Sequence, residues 1–281
     1  MEQMPKKQHG FYSDLSSFND TVLDVSKSTK DFFFNRHPTY IRILILITFL
    51  LEIPALFLAL FLGLPALLLP LALPFYTYWQ VHKRMKHLFF TQLATTLGMV
   101  YEPLADRTTV SGYFFEIGSG GVPRHILRGN YQGLPIRLYE YQFTVGSGKH
   151  KRTYQFIVSE IDTQGNLPHL FVKPDSLYGG LALRNPPGTK ILSLEGDFND
   201  HFDVYVPEDS EIEALQILEP DVMVRLIDEF STFAFECIGT KAYAFKPGSF
   251  ADNRESMLAH LKLLERLYDE LLPELKQVAR S

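Results

Sequence analysis

The chain has almost no cysteine. One residue, Cys237, stands in 281, which excludes an intramolecular disulfide and any zinc centre built on several thiolates, and leaves a reduced compartment as the default. Cys237 lies in the apolar run Phe233 to Ile238 with no histidine near it in sequence, the setting of a buried, protonated thiol rather than a nucleophile. Catalytic signatures are missing as well. The nine histidines include no H-E-x-x-H pair and no serine sits in G-x-S-x-G, so zinc-hydrolase and serine-hydrolase chemistry lack their defining parts.

Three further patterns fail on inspection. Gly146-Ser147-Gly148-Lys149 has the tail of a phosphate-binding loop, yet Phe143 stands where the first glycine belongs and His150 replaces the magnesium-holding hydroxyl. The stretch reads instead as a hairpin loop with Lys149, His150, Lys151 and Arg152 at its tip. Gly118-Ser119-Gly120-Gly121 runs into Val122 and Pro123, so no helix begins there to receive a phosphate. It reads as a flexible loop which, with that tip, makes a basic rim for headgroups or an acidic ligand. The run Asp197 to Asp203 starts like a calcium loop, but Phe202 occupies the turn-glycine position, and an Asp- and Asn-rich turn explains it. No cofactor and no metal is expected.

Charge is nearly absent over one long stretch. From Ile43 to Trp79 the thirty-seven residues hold one charged side chain, Glu52, almost twice the roughly 20 residues that cross a hydrocarbon core once. A break at Gly63-Leu64-Pro65 divides the run into two spans, glycine supplying the turn and proline the restart. Residues 40–81 are thus expected to form a transmembrane helical hairpin. Lys27, Lys30, Arg36 and Arg42 precede it and Lys83, Arg84 and Lys86 follow it, which puts both termini in the cytoplasm and makes the protein multi-pass in the cell (inner) membrane. Tyr40, Tyr76, Tyr78 and Trp79 supply headgroup-level rings at the same face. Pro54, Pro65, Pro70 and Pro74 keep open a re-entrant hairpin that dips in without crossing. Glu52 is the candidate intramembrane functional residue, although no basic or histidine partner in the second span makes a relay with it; pairing between copies in an oligomer stays open.

Residues 1–39 read as an amphipathic or disordered segment, with Phe11, Leu15, Phe18, Val22, Val25 and Phe32 recurring on one side. Residues 82–98 continue the second span out of the membrane until Gly98 caps it. Their basic cluster fits topology and anionic headgroups, and no nucleic acid is implied.

Residues 99–281 read as a cytoplasmic α+β domain, mainly antiparallel because the links are short. Strands are expected at Val110 to Ile117, His125 to Arg128, Leu134 to Val145, Arg152 to Ile161, His169 to Val172, Lys190 to Glu195, Phe202 to Val206, Phe233 to Ile238 and Lys241 to Phe245. A helix from Asp221 to Glu229 follows Pro220, and a C-terminal packing helix runs from Asn253 to Leu272, with Met257, Leu261, Leu264, Tyr268 and Leu271 on one face and Pro273 ending or kinking it.

One charge asymmetry is strong. Between Glu195 and Glu229 there are twelve acidic residues and one basic residue, Arg225, a net of −11 in 35 positions. That surface repels nucleic acid and anionic lipid. It is either a solvated face or a dock for a basic protein partner.

Leu194 to Asn199, Phe202 to Pro207, Glu211 to Leu215, Pro220 to Met223 and Leu226 to Asp228 resemble stretches of uncharacterised bacterial membrane proteins, those of candidate-phylum bacteria above all. The resemblance covers Gly112 to Phe245 and implies a transmembrane hairpin followed by a cytoplasmic domain of unknown function, with no catalytic residue attached. The expectation that follows is a membrane-anchored binding or scaffold module. An enzyme or small-ligand receptor at the inner membrane surface with an unrecognised site is the alternative, and a transporter part built around Glu52 is a third reading.

Overall fold

The computed structural model describes residues 25–62, 68–175, 186–194, 196–250 and 254–279. It divides into two compact units, one taking in Leu93–Phe250 and the C-terminal helix, the other taking in the helices up to Gln92.

The described part of the helical unit comprises α1 (Val25–Asp31), a π-helical turn (Phe32–Arg36), α2 (Pro38–Leu62) and α3 (Leu68–Thr96). Pro38 starts α2 at the position where a missing N–H costs nothing. Phe33 is buried, stacked on Tyr78 with ring centroids 5.5 Å apart, and Thr29 Oγ1 lies 3.3 Å from His82 Nδ1. The amphipathic pattern before Val25 and the break at Gly63-Leu64-Pro65 lie outside the described residues, as does the side chain of Glu52 on α2. Among the described residues no helix is long and apolar enough to cross a membrane; in α2 side chains are described without interruption only from Thr39 to Leu51.

α3 ends as expected at Gly98. That residue has φ +63°, its N–H bonds to Thr95 O at 3.2 Å, and Met99 N–H reaches back to Ala94 O at 2.8 Å. The paired bonds satisfy carbonyls that the helix end leaves open, and the left-handed residue between them favours glycine.

The second unit is α+β, with a seven-stranded sheet whose pairings are all antiparallel. Its strands are β1 (Val100–Leu104), β2 (Ser119–Tyr131), β3 (Leu134–Val145), β4 (Arg152–Pro174), β5 (Thr189–Ile191), β6 (Phe202–Pro207) and β7 (Ala234–Pro247). Gln132 and Gly133, at φ +49° and +83°, make the two-residue turn between β2 and β3, and two residues in the left-handed region give a turn whose twist matches the right-handed twist of the strands. β4 is the spine. β7 runs along one edge of it, from Phe156↔Pro247 to Val172↔Phe235, so β3 and then β6 follow one another along the other edge.

Alternation along β3 decides the two faces of the sheet. Tyr139, Tyr141 and Phe143 enter an aromatic core with Phe156 and Val158 of β4 and Tyr243 and Phe245 of β7. Against that core packs a single helical turn, α4 (Tyr113–Glu116), whose Phe114 stacks on Phe245 at 3.9 Å. The opposite face carries the C-terminal helix α7 (Arg254–Val278), where Met257, Leu261, Leu264, Tyr268 and Leu271 are all buried and Tyr268 Oη lies 2.6 Å from Ser159 Oγ of β4.

Several expectations need correction. Val110 to Ile117 is not a strand but contains α4. The two strands expected at Arg152 to Ile161 and His169 to Val172 are one, kept continuous by irregular pairing between Asp162 and Leu170, and those at Phe233 to Ile238 and Lys241 to Phe245 are likewise one. β5 stops at Ile191, short of Glu195. α7 passes through Pro273 without ending. β1 and the helix α5 (Glu211–Ile217) were not expected, whereas α6 (Pro220–Phe230) was.

Candidate interaction surface

The acidic stretch folds into β6, α5 and α6, and its side chains sort by helix face. α5 turns Ala214 and Ile217 inward, and α6 turns Val222, Leu226 and Phe230 inward. Acidic residues in each first turn, Glu211 and Glu213 on α5 and Asp221 on α6, oppose the positive end of the helix dipole. The outward faces are not simply polar. Ile212 is 73% exposed and Leu215 43% on α5, and Val224 is 57% exposed on α6.

Some of the carboxylates are neutralised locally. Lys173 pairs with Asp203 at 2.6 Å, and Lys190 with Glu211, Arg266 with Glu229 and Arg225 with Glu270 also form ion pairs. Arg225, the one cation of the stretch, is therefore engaged by α7. Among the described residues Glu208, Asp209, Glu213, Glu219, Asp221 and Asp228 make no ion pair; Asp221 and Asp228 stand three before and four after Val224 on α6, on its side of the helix. A surface of that kind suits a partner that brings apolar contacts and positive charge together.

The basic tip is where the sequence put it. Lys149, His150, Lys151 and Arg152 are all exposed in the β3–β4 connection, which carries a 3-10 turn at Gly148–His150. The glycine-rich stretch lies beside it, because Ser119 pairs with Thr144 near the end of β3. It is not a loose loop, however. A Cβ on Gly118 would lie 2.5 Å from Thr144 O, and one on Gly121 would lie 2.1 Å from Tyr141 Oη, so these glycines let β2 press on β3.

Two polar clusters inside the sheet carried no sequence signal. Glu236 of β7 is fully buried; its carboxylate accepts N–H bonds from Tyr113 at 2.5 Å and Phe114 at 3.2 Å and meets His169 Nε2 at 3.2 Å. The Tyr113 ring stacks on His169 with centroids 4.0 Å apart. Burial pushes the Glu236 carboxyl above its usual range. Carboxylate and imidazole stand as in a hydrolase, but Cys237 is next to Glu236 on a strand and so points to the other face, with its thiol pushed far up by burial. The pair serves to hold α4 on the sheet.

The second cluster centres on Glu160 of β4. It pairs with Arg137 across the β3–β4 register, with Lys241 Nζ at 2.9 Å, and accepts the Tyr139 hydroxyl at 3.3 Å. Arg137 also donates to Thr109 O at 2.8 Å, which fastens the segment before α4. Both clusters are anchors for one crossing segment. Among the described residues no three His, Cys, Asp or Glu side chains are grouped to hold a metal ion.

No protein-family model matches the chain, and no curated protein matches it. Among solved structures, the mycobacterial trehalose monomycolate transport factor A, TtfA, is similar at 10% sequence identity and a TM-score of 0.45, over 65% of this chain and 93% of that one. A likeness of that grade transfers no activity, substrate or partner.

Proposed function

We propose that this chain is a membrane-anchored binding module: residues 40–81 insert in the bilayer as a helical hairpin, both termini lie in the cytoplasm, and the α+β unit docks a basic protein. The observation that carries the reading is the surface of α2. Ile43, Ile45, Leu46, Ile47, Phe49 and Leu50 spread over roughly 200° of that helix's circumference and are 41% to 66% exposed, a cost that water would exact over that broad face and lipid removes. The exposed Phe75, Tyr76, Tyr78 and Trp79 of α3 support the same reading, as rings suited to the interface.

Pro54 inside α2 and Pro74 inside α3 each remove a backbone donor, and they support, as a second form of the reading, a hairpin that enters from the cytoplasmic side and returns to it. Cysteines placed one at a time between residues 60 and 68, in a Cys237→Ser background, decide the form: labelling by an impermeant thiol reagent from outside the cell marks crossing, and protection marks re-entry.

The docking half rests on Ile212, Leu215 and Val224 standing among unpaired carboxylates. Full-length protein extracted in mild detergent and used as bait recovers a stoichiometric basic partner, and Ile212→Asp with Val224→Asp, which leaves the negative charge in place, loses it. Recovery of no stoichiometric partner overturns this half. Release of the chain from membranes by alkaline carbonate overturns the anchoring half.

A further inference from the structure

Where α2 begins and α3 leaves its apolar part, the helical unit encloses a groove of about 440 Å³. Tyr40 contributes one wall, and Tyr76, Gln80 and Arg84, four residues apart along α3, contribute the other. The lining contains no carboxylate and is rich in donors. Gln80 Nε2 donates to Tyr76 Oη at 2.7 Å, which leaves the Tyr76 hydroxyl proton and the second amide proton of Gln80 for another acceptor. Arg84 is exposed and, among the described residues, makes no ion pair, so five N–H donors and a full positive charge are left without a protein acceptor. Lys83 beside it is held differently, over the Trp79 ring at 5.5 Å.

Apolar surface adjoins this polar lining on both helices. Ile43 and Ile47 stand three and seven residues beyond Tyr40, on the same side of α2, and are exposed; Ala72, four residues before Tyr76, is exposed on α3. A cationic, donor-lined seat contiguous with apolar stripes matches an amphiphile with an anionic head, whereas a free anion would leave the stripes uncovered. We propose that this groove binds the phosphate-bearing headgroup of an anionic phospholipid, with Arg84 gripping the phosphate, Tyr40, Tyr76 and Gln80 completing its hydrogen bonds, and the acyl chains running along Ile43 and Ile47. The assignment rests on the membrane reading above and adds a defined lipid seat to it.

Trp79 is the single tryptophan of the chain and lies next to Gln80 in sequence, so it reports on lipid contact. The full chain is placed in nanodiscs of phosphatidylcholine with increasing phosphatidylglycerol, the latter brominated on its acyl chains, and Trp79 quenching is followed. Saturable quenching by phosphatidylglycerol is expected, its affinity weakened about fivefold in Arg84→Gln, distinctly more than in Lys83→Gln, and not displaced by inorganic phosphate. Equal quenching for Arg84→Gln and the native chain, equal loss in both variants, or equal preference for brominated phosphatidylcholine overturns the seat while leaving the anchor standing. Failure of the native chain to enter nanodiscs overturns both.

Discussion

Gly112 and Glu236 are held so closely that a Cβ on the glycine would lie 2.7 Å from the carboxyl group, and Gly112 itself has φ +130°. The carboxylate reaches past it to the N–H groups of Tyr113 and Phe114, so the glycine is what allows a buried charge to cap α4. Gly112→Ala is expected to destabilise the unit by about 3 kcal/mol, from backbone strain and from hydrogen bonds pushed apart. Urea unfolding followed by circular dichroism measures it, and a loss under 1 kcal/mol would show that the segment shifts at little cost.

His260 of α7 is buried between Phe233 and Phe250, ring centroids 5.5 and 5.7 Å away, and among the described residues neither ring nitrogen has a hydrogen-bond partner. Burial, with nearby Lys246 adding to it, lowers its pKa to about 3. The unfolded chain takes up a proton below about pH 6.5 that the folded chain refuses, so stability falls as pH drops from 6.5 towards 3. Between pH 7 and pH 5 the loss is roughly 2 kcal/mol. His260→Phe should flatten that part of the stability profile, and an unaltered slope would refute the assignment.

Phe114 is fully buried, stacked on Phe245 and edge-on to Phe143 and Phe156. Phe114→Ala is expected to cost about 3 to 5 kcal/mol, and Phe114→Leu distinctly less. Comparable losses for the two would mean that ring geometry matters more than filled volume.

Cys237, the single thiol of the chain, reports opening through its own reactivity. Its thiol is buried and pushed well above the ordinary range by burial, so alkylation by iodoacetamide in native buffer should be slow and should accelerate in proportion to the unfolded fraction as urea is added. Fast labelling of the folded protein would place a local opening at β7.

Much of the sheet was legible because its alternation is local. β3 was bounded correctly at Leu134 and Val145, since Tyr139, Tyr141, Phe143 and Val145 alternate with Glu140, Gln142 and Thr144 and the turn residues Gln132 and Gly133 precede it. Gly98 announced the end of α3 for the same reason. Tyr113 to Glu116 misled, as aromatic residues in a short run suggest a strand, and what makes it helical is a carboxylate 123 residues away. β1 was missed because Pro103 and Glu102 suit an edge rather than an interior strand. Of the candidate site, the charge of the acidic stretch was plain in the sequence, but not the exposure of Ile212 and Val224 within it, which depends on where α5 and α6 meet the sheet. Glu160, Glu236 and His260 could not be singled out, since the partners that define them come from other strands and helices.

The long β4–β7 pairing sets a timetable for synthesis. Partners along it are separated by 63 residues at Val172↔Phe235 and by 91 at Phe156↔Pro247. At about 5 to 20 residues per second a ribosome needs on the order of 3 to 20 s to deliver the second strand after the first. During that interval one edge of β4 offers unpaired backbone groups and aromatic side chains to any neighbouring chain. The hazard is greatest for chains crowded on one polysome, and it ends when β7 emerges.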